Sequence, residues 1–136
     1  MRLYTLNNSY LQGICSGIQT QHSTVRLMRK YEGNPTIERW ADHHETTIAL
    51  NGGDHETLEA LYTLMVDCAN FPFAFDIFHE PGLNYAATSI AILFEEKDYV
   101  AMRDVRSSGD PLRMYDLYSA DVAFIMTKIM NMNLAK

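Results

Sequence analysis

The sequence contains no long apolar run, few cysteines and a shortage of positive charge. No stretch approaches the ~18 consecutive apolar residues that a membrane-spanning helix needs, and the first residues lack a signal-peptide core. Two cysteines among 136 residues are too few for a disulfide scaffold and give no metal-binding spacing. These absences predict a cytoplasmic protein without membrane contact, and the length predicts a single domain.

The charge is acidic overall but unevenly distributed along the chain. Lys and Arg number 11 against 17 Asp and Glu, a net charge of −6, which argues against broad binding to a nucleic-acid backbone. Residues 1–39 carry five basic and two acidic groups and sum to +3, whereas residues 40–136 carry six basic and fifteen acidic groups and sum to −9. We therefore expect one locally positive face that suits an anionic ligand.

Motifs for metals and common cofactors are missing. The five histidines form neither an HxxxH nor an HxH pair, and metal sites need ligands that converge from such fixed spacings. There is no Walker-type glycine loop and no GxGxxG motif. We therefore expect neither a metal ion nor another cofactor.

Strand and helix signals alternate along the chain, which is typical of an α/β fold. Strand patterns occupy residues 1–6, 46–50, 73–77 and 89–94. Helix patterns occupy residues 11–31, 37–41, 55–69 and 98–106, and a further stretch after Ser119. This order predicts a short mixed four-stranded sheet flanked by helices, in one domain over residues 1–136. Residues 1–96 would form its core, and 97–136 an extra C-terminal helical segment.

Two apolar features predict packing in the first half of the chain. Ile14, Ile18, Val25 and Met28 recur at helical spacing and predict an apolar stripe on the first helix, with polar residues on its other faces. Trp40 is expected to cover the core from a short helical turn.

Polar residues follow the predicted strands at their carboxyl ends, where open α/β sheets bind ligands. Asn7 and Asn8 come after the first strand, and the turn at 80–85 contains Glu80, Asn84 and Tyr85. This combination favours a ligand with hydrogen-bonding edges and a stackable ring. An ordinary polar turn explains the same residues equally well.

Residues 3 to about 95 resemble the archaeal/eukaryotic-type (second-class) peptidyl-tRNA hydrolases in motif order and spacing. Gln19 and His22 fall where that family has its helical Gln and His, and Trp40 where it often has Trp before the second strand. Residues 54–58 resemble its acidic Glu-Thr-Leu helix start, and residues 80–85 its Asp-Ala-Gly-Arg-Thr-Gln segment. The resemblance implies the family fold and its cleft.

The departures from the family concern its catalytic cations. Cys15 replaces the catalytic lysine, Gly13 a second lysine and Leu83 the arginine, while Glu80 replaces the catalytic Asp. Ester hydrolysis of peptidyl-tRNA requires an activated water and positive groups that hold the acceptor end. The resemblance therefore implies a retained cleft without most of its catalytic groups.

We therefore predict a non-catalytic protein that sequesters a small nucleotide-type ligand, as viral inhibitors of host nucleotide immune signalling do in the host cytoplasm. Tyr85 is expected to stack on a base, and Asn84 and Gln19 to form hydrogen bonds with the edge of that base. Asn8, His22 or Arg26 is expected to contact phosphate or ribose. The predicted ligand-binding residues are Asn8, Gln19, His22, Arg26, Glu80, Asn84 and Tyr85.

Two alternatives remain open. The first is an active, divergent peptidyl-tRNA hydrolase with tRNA as its partner, in which Glu80 and His22 replace the usual acid and base. The second is a protein-interaction scaffold that uses the Met-rich C-terminal helix. A homodimer is expected under the main hypothesis, with the C-terminal segment either covering the sheet or extending the dimer.

Overall fold

The computed structural model describes all 136 residues and has the predicted α/β architecture. The strands are β1 (Arg2–Asn8), β2 (Thr47–Gly53), β3 (Phe75–Glu80) and β4 (Ala86–Phe94). The helices are α1 (Ile14–Lys30), α2 (Pro35–Arg39), α3 (His55–Asp67), α4 (Glu96–Ser108), α5 (Met114–Leu117) and α6 (Ala120–Met130). None of these helices has both the length and the apolar character that a membrane crossing requires.

The sheet is mixed, as predicted, with strand order β2-β1-β4-β3. β1 pairs in parallel with β2 and antiparallel with β4, and β4 pairs antiparallel with β3. Three strands therefore run in one direction and end at the same edge, at Asn8, Gly53 and Glu80. We call this the carboxyl edge. β4 begins there, and α1 and α3 start from loops at the same edge.

One face of the sheet carries the main core, a cluster of 22 buried residues. α3, α4 and α6 cover this face, and Met114 and Met126 of the C-terminal segment are fully buried in it. Beyond α6 the chain lies beside β2, where Leu134 forms a β-bridge with Leu50. The C-terminal segment therefore covers the sheet, and its methionines fill the core instead of forming an exposed surface.

α1 covers the opposite face of the sheet. The apolar stripe predicted for α1 was expected to pack in the core, and this prediction was wrong. Ile14, Ile18 and Val25 are 81%, 42% and 53% exposed. The residues that α1 buries are Ser16, Gln19, Ser23 and Leu27, three of which are polar. Periodicity located the helix but selected the wrong side of it for these three residues, and only Met28, which is partly buried, packs against a core cluster.

The reason lies in the strand surface beneath α1, which is itself polar. Asn7 of β1 donates from Nδ2 to the hydroxyls of Ser16 (2.8 Å) and Thr20 (2.7 Å). Its Oδ1 accepts from Ser89 of β4 (2.7 Å), which also contacts Ser23 (2.7 Å). Buried polar groups are tolerated when they are paired, and no buried side-chain nitrogen or oxygen lacks a partner.

Farther from the carboxyl edge, α1 and α2 meet the sheet through a small apolar cluster. Leu27 and Ile37 pack there with Leu3, and Trp40 is 7% exposed. The indole Nε1 of Trp40 donates to the carbonyl of Thr46 (3.0 Å). The prediction that Trp40 covers a core from a short helical turn is confirmed, and this turn consists of α2 and the π-helical segment Trp40–His44 that follows it.

Strand boundaries at the carboxyl edge differ from the predictions. Asn7 and Asn8 belong to β1, and Asn51–Gly53 belong to β2, although these strands were predicted to end at residues 6 and 50. β3 begins and ends later than the predicted 73–77. Pairing with β4 explains the shift, because Glu80 still lies opposite Ala86 in the ladder. Ladder partners override the local turn propensity of Asn and Gly.

Replacing Gly17 by alanine is expected to raise the free energy of unfolding by about 0.5–1 kcal/mol. Gly17 lies in the first turn of α1, and a Cβ built on it has no heavy atom within 4 Å. Chemical denaturation measures the change. Gly13→Ala is the matched control, because its positive φ of 58° should make the same substitution destabilising. A destabilised Gly17→Ala protein would contradict the prediction.

Candidate functional site

Asn8 and His55 hold the first residues of β4 in place at the carboxyl edge. Asn8 is buried; its Nδ2 donates to the carbonyl of Ala87 (3.0 Å), and its Oδ1 accepts from the backbone N–H of Tyr10 (3.0 Å). His55 Nδ1 accepts from the backbone N–H of Ala87 (2.7 Å), so this nitrogen is unprotonated. Both groups of the Asn8 amide are therefore engaged within the protein.

Gln19 joins α1 to β3 and β4 through the two ends of its amide. The side chain is 5% exposed. Its Oε1 accepts from the hydroxyl of Thr88 (2.7 Å), and its Nε2 donates to Glu80 Oε1 (3.4 Å). The structure thus brings Gln19 and Glu80 together, 61 residues apart in the chain, and gives the carboxylate an amide as its neighbour instead of a cation.

His22 and Arg26 lie one and two turns further along α1, against the ring of Phe78. The imidazole of His22 stacks on that ring with centroids 4.6 Å apart and an interplanar angle of 25°. The Arg26 guanidinium carbon is 5.6 Å from the ring centroid. Phe78 and Glu80 occupy alternate positions of β3, so their side chains lie on the same face of the sheet. We call this surface, formed by Gln19, His22, Arg26, Phe78 and Glu80, the α1–β3 seam.

No hydrogen bond or ion pair joins His22 to a carboxylate. The ion pairs of the protein are His79–Glu59 and Arg103–Asp104, and the polar partner of Glu80 is Gln19. The two groups proposed as acid and base for a hydrolase therefore have separate partners in the seam.

The turn after β3 holds two residues in an unusual backbone conformation. Pro81–Leu83 form a 3₁₀ turn, and Asn84 and Tyr85 then have φ values of 55° and 59°. The backbone N–H of Tyr85 donates to the carbonyl of Glu80 (2.9 Å) and closes the turn. Asn tolerates this conformation, whereas a left-handed tyrosine costs about 1–2 kcal/mol, and Tyr85 is nevertheless 66% exposed.

A cavity of about 480 Å³ opens at the carboxyl edge, within the size range of small-molecule sites. Its lining combines the aromatic ring of Tyr10, which is 85% exposed, with Leu83 and the start of α3. Asp54 caps α3 by accepting from the N–H of Thr57 (2.8 Å), and this hydrogen bond lowers the pKa of Asp54. With Glu56 also in the lining and no Lys or Arg, the cavity disfavours phosphate groups.

The predicted ligand-binding residues lie at or beside one edge but do not share a main cavity. Asn8 lines the cavity just described and a small one of about 30 Å³ next to it. None of the other six lines any of the four main cavities. The seam holds Gln19, His22, Arg26 and Glu80 together, while Asn84 and Tyr85 form the adjoining turn. Their role in binding a ligand stays a prediction.

Another cavity, of about 690 Å³, lies at the opposite edge of the sheet. It contains the buried Asp98, whose Oδ1 accepts from the Tyr118 hydroxyl (2.6 Å). Burial, reinforced by Asp98, raises the pKa of Tyr118, so the phenol remains the donor. Nowhere in the protein is a group of three or more His, Cys, Asp or Glu side chains arranged to hold a metal ion.

The sequence analysis did not identify the residues that contact the predicted ligand-binding residues within the protein. Thr88 and Phe78 look like ordinary strand residues, and Tyr10 like part of a polar loop. The spacing of Thr88 and Phe78 gives no signal, because each contacts a residue of the distant helix α1, whereas Tyr10 donates its backbone N–H to the nearby Asn8. Comparison of the chain with protein-family models and with curated proteins finds no match.

Proposed function

We propose that this chain is a non-catalytic binding protein that sequesters a small nucleotide-type ligand at the carboxyl edge. The observation that carries the proposal is the strained, exposed Tyr85. Backbone strain persists where it serves a function, and here the strained residue presents a largely exposed aromatic ring to solvent. A ring held in this way is suited to stacking on a base, which contributes about 1–3 kcal/mol per base.

The surroundings of Tyr85 supply the remaining groups that a nucleotide needs. The side chain of Asn84 is exposed and has no hydrogen-bond partner in the protein, so its amide is free to read the edge of a base. α1 contains no acidic residue, and its Arg26 lies in the α1–β3 seam against Phe78. In a protein of net charge −6, this helix is the local cationic surface toward which a phosphate would turn.

The proposal includes what the sequence resemblance implies about origin: the chain would derive from a second-class peptidyl-tRNA hydrolase, keeping the fold but not the catalytic cations. Cys15 and Leu83, which stand where that family has lysine and arginine, are both exposed at or beside the carboxyl edge. The separate partners of His22 and Glu80 also favour binding over hydrolysis, since a general acid–base pair must act on one water.

Replacing Tyr85 by alanine is expected to weaken nucleotide binding about tenfold to a hundredfold, because the stacking surface is lost. Isothermal titration calorimetry measures this, with AMP, GMP and a cyclic dinucleotide as probes. Tyr85→Phe should keep most of the affinity. Tyr115→Ala is the matched control, because it removes an exposed tyrosine of α5 and should leave affinity unchanged.

Recovery of the bound nucleotide distinguishes sequestration from turnover. After denaturation of the complex, mass spectrometry should return the nucleotide chemically unchanged and in stoichiometric amount. A modified nucleotide would overturn the proposal. Cleavage of a peptidyl-tRNA by the wild-type protein, lost in Glu80→Ala or His22→Ala, would establish the hydrolase instead.

A further inference from the structure

A second groove, unrelated to the predicted ligand residues, lies on the face of the sheet that α4 and the C-terminal tail cover. It has a volume of about 580 Å³ and nine hydrophobic residues among the fourteen that line it. Ile48 and Leu50 of β2 contribute from the sheet, Met102 from α4, and Met130 and Met132 from the end of the chain. Methionine side chains adapt to ligands of irregular shape, so this lining suits a flexible apolar body.

Three arginines line the same groove, and no acidic residue does. They are Arg2, Arg103 and Arg106, more than a quarter of the 11 basic residues of an acidic protein. Arg103 bonds an exposed neighbour, Asp104 (3.2 Å), a type of surface pair that contributes little. Neither Arg2 nor Arg106 has a carboxylate within ion-pair distance. We call this site the arginine groove.

The aromatic rings of the arginine groove are already engaged. The Arg2 guanidinium carbon lies 4.2 Å from the ring centroid of Tyr99, and Tyr4 packs its ring against Phe94 with centroids 5.2 Å apart. Burial raises the pKa of the Tyr4 phenol, and Arg2 offsets this in part, so the phenol adds no negative charge near neutral pH. The groove therefore combines unbalanced positive charge with an apolar floor. The rings of Tyr4 and Tyr99 already contact other side chains, so they are not free to stack on a nucleobase.

We propose that the arginine groove binds an amphiphilic anion, a carboxylate or phosphate head group on an apolar chain. The head group would accept from the guanidinium groups, whose forked donors match both kinds of oxyanion, and the chain would lie over the isoleucine and methionine floor. The volume is within the range of small-molecule sites. This site is independent of the proposed nucleotide site, because none of its lining residues belongs to the carboxyl-edge cavity or to the α1–β3 seam.

Isothermal titration calorimetry of the full chain with decanoate and decyl phosphate tests the proposal. Both should bind more tightly than 1-decanol, which lacks the charge, and than acetate, which lacks the chain. Arg106→Gln should weaken decanoate binding at least about tenfold, because a charge-assisted hydrogen bond contributes roughly 1.5–3 kcal/mol. Arg106 is exposed, so this variant is expected to fold.

Arg113→Gln is the matched control, since Arg113 is an exposed arginine outside the groove. Equal affinity for decanoate and 1-decanol, no binding of either anion, or an Arg106→Gln protein that binds like the wild type would each overturn the proposal. Sedimentation with vesicles containing phosphatidic acid distinguishes the source of the anion. Sedimentation that is lost in Arg106→Gln indicates a membrane lipid, whereas decanoate binding without sedimentation indicates a free amphiphile.

Discussion

Replacing Asn7 by leucine is expected to lower the free energy of unfolding by about 3 kcal/mol or more. Asn7 is 2% exposed, and its amide satisfies the hydroxyls of Ser16, Thr20 and Ser89. Leucine has a similar size but makes none of these hydrogen bonds. The buried hydroxyl of Ser16 then has no partner, which costs about 1–3 kcal/mol, and Thr20 and Ser89, which keep Thr5 and Ser23, each lose one hydrogen bond of about 0.5–1.5 kcal/mol. Urea denaturation measures the loss, and hydrogen exchange should show faster opening of the first half of α1.

Two comparisons isolate the polar network as the cause. Asn131→Leu changes an exposed asparagine after α6 and should alter stability by less than about 0.5 kcal/mol. Adding Ser16→Ala, Thr20→Val and Ser89→Ala to Asn7→Leu should recover part of the lost stability, because removing all partners together leaves fewer polar groups unpaired. A loss below about 1 kcal/mol for Asn7→Leu alone would contradict the assigned role of the network.

Replacing Gly52 by alanine is expected to destabilise the fold by about 2 kcal/mol, within the usual range for overpacking a core. Gly52 lies at the β1–β2 register shift, and a Cβ there would be 2.7 Å from Leu58 Cδ2 and 3.0 Å from the backbone carbonyl carbon of Leu6. The leucine methyl has some freedom to turn away. The strand backbone has none without disturbing the pairing of β1, and thermal or urea denaturation measures the cost.

Gly82→Ala is the control for this substitution. Gly82 lies in the 3₁₀ turn after β3, and a Cβ built there has nothing within 4 Å. Its stability should stay within about 0.5 kcal/mol of the wild type. If Gly52→Ala were equally mild, the close approach of β2 to Leu6 would not be a constraint on the fold.

Elements with strong local signals were predicted well. α3 was predicted over 55–69 and occupies His55–Asp67, where Asp54 caps it. The apolar run of β4 was predicted over 89–94, and the strand extends further, to Ala86. Caps and apolar runs act within a few residues of the chain, so a single sequence carries them. The extra residues of β4 depend on its partners β1 and β3, which the local pattern does not show.

The candidate site was predicted only in part. The sequence placed Gln19, His22 and Glu80 in one region, and the structure puts Gln19 against Glu80 and His22 against Phe78. The partner of Gln19 on β4, Thr88, and the stacking of His22 on a ring had no sequence signal. Contacts between distant elements depend on the relative positions of helix and sheet, which no local spacing encodes.

The sequence by itself determined the order of strands and helices, the cap of α3 and the acidic balance of the chain, because these depend on neighbours in the chain or on composition alone. The tertiary structure decided which side of α1 is buried. Ser16, Gln19 and Ser23 lie inside because the sheet offers Asn7, Thr88 and Ser89 as partners. A polar helix face is stable inside only against such a surface, and only the assembled fold brings that surface to it.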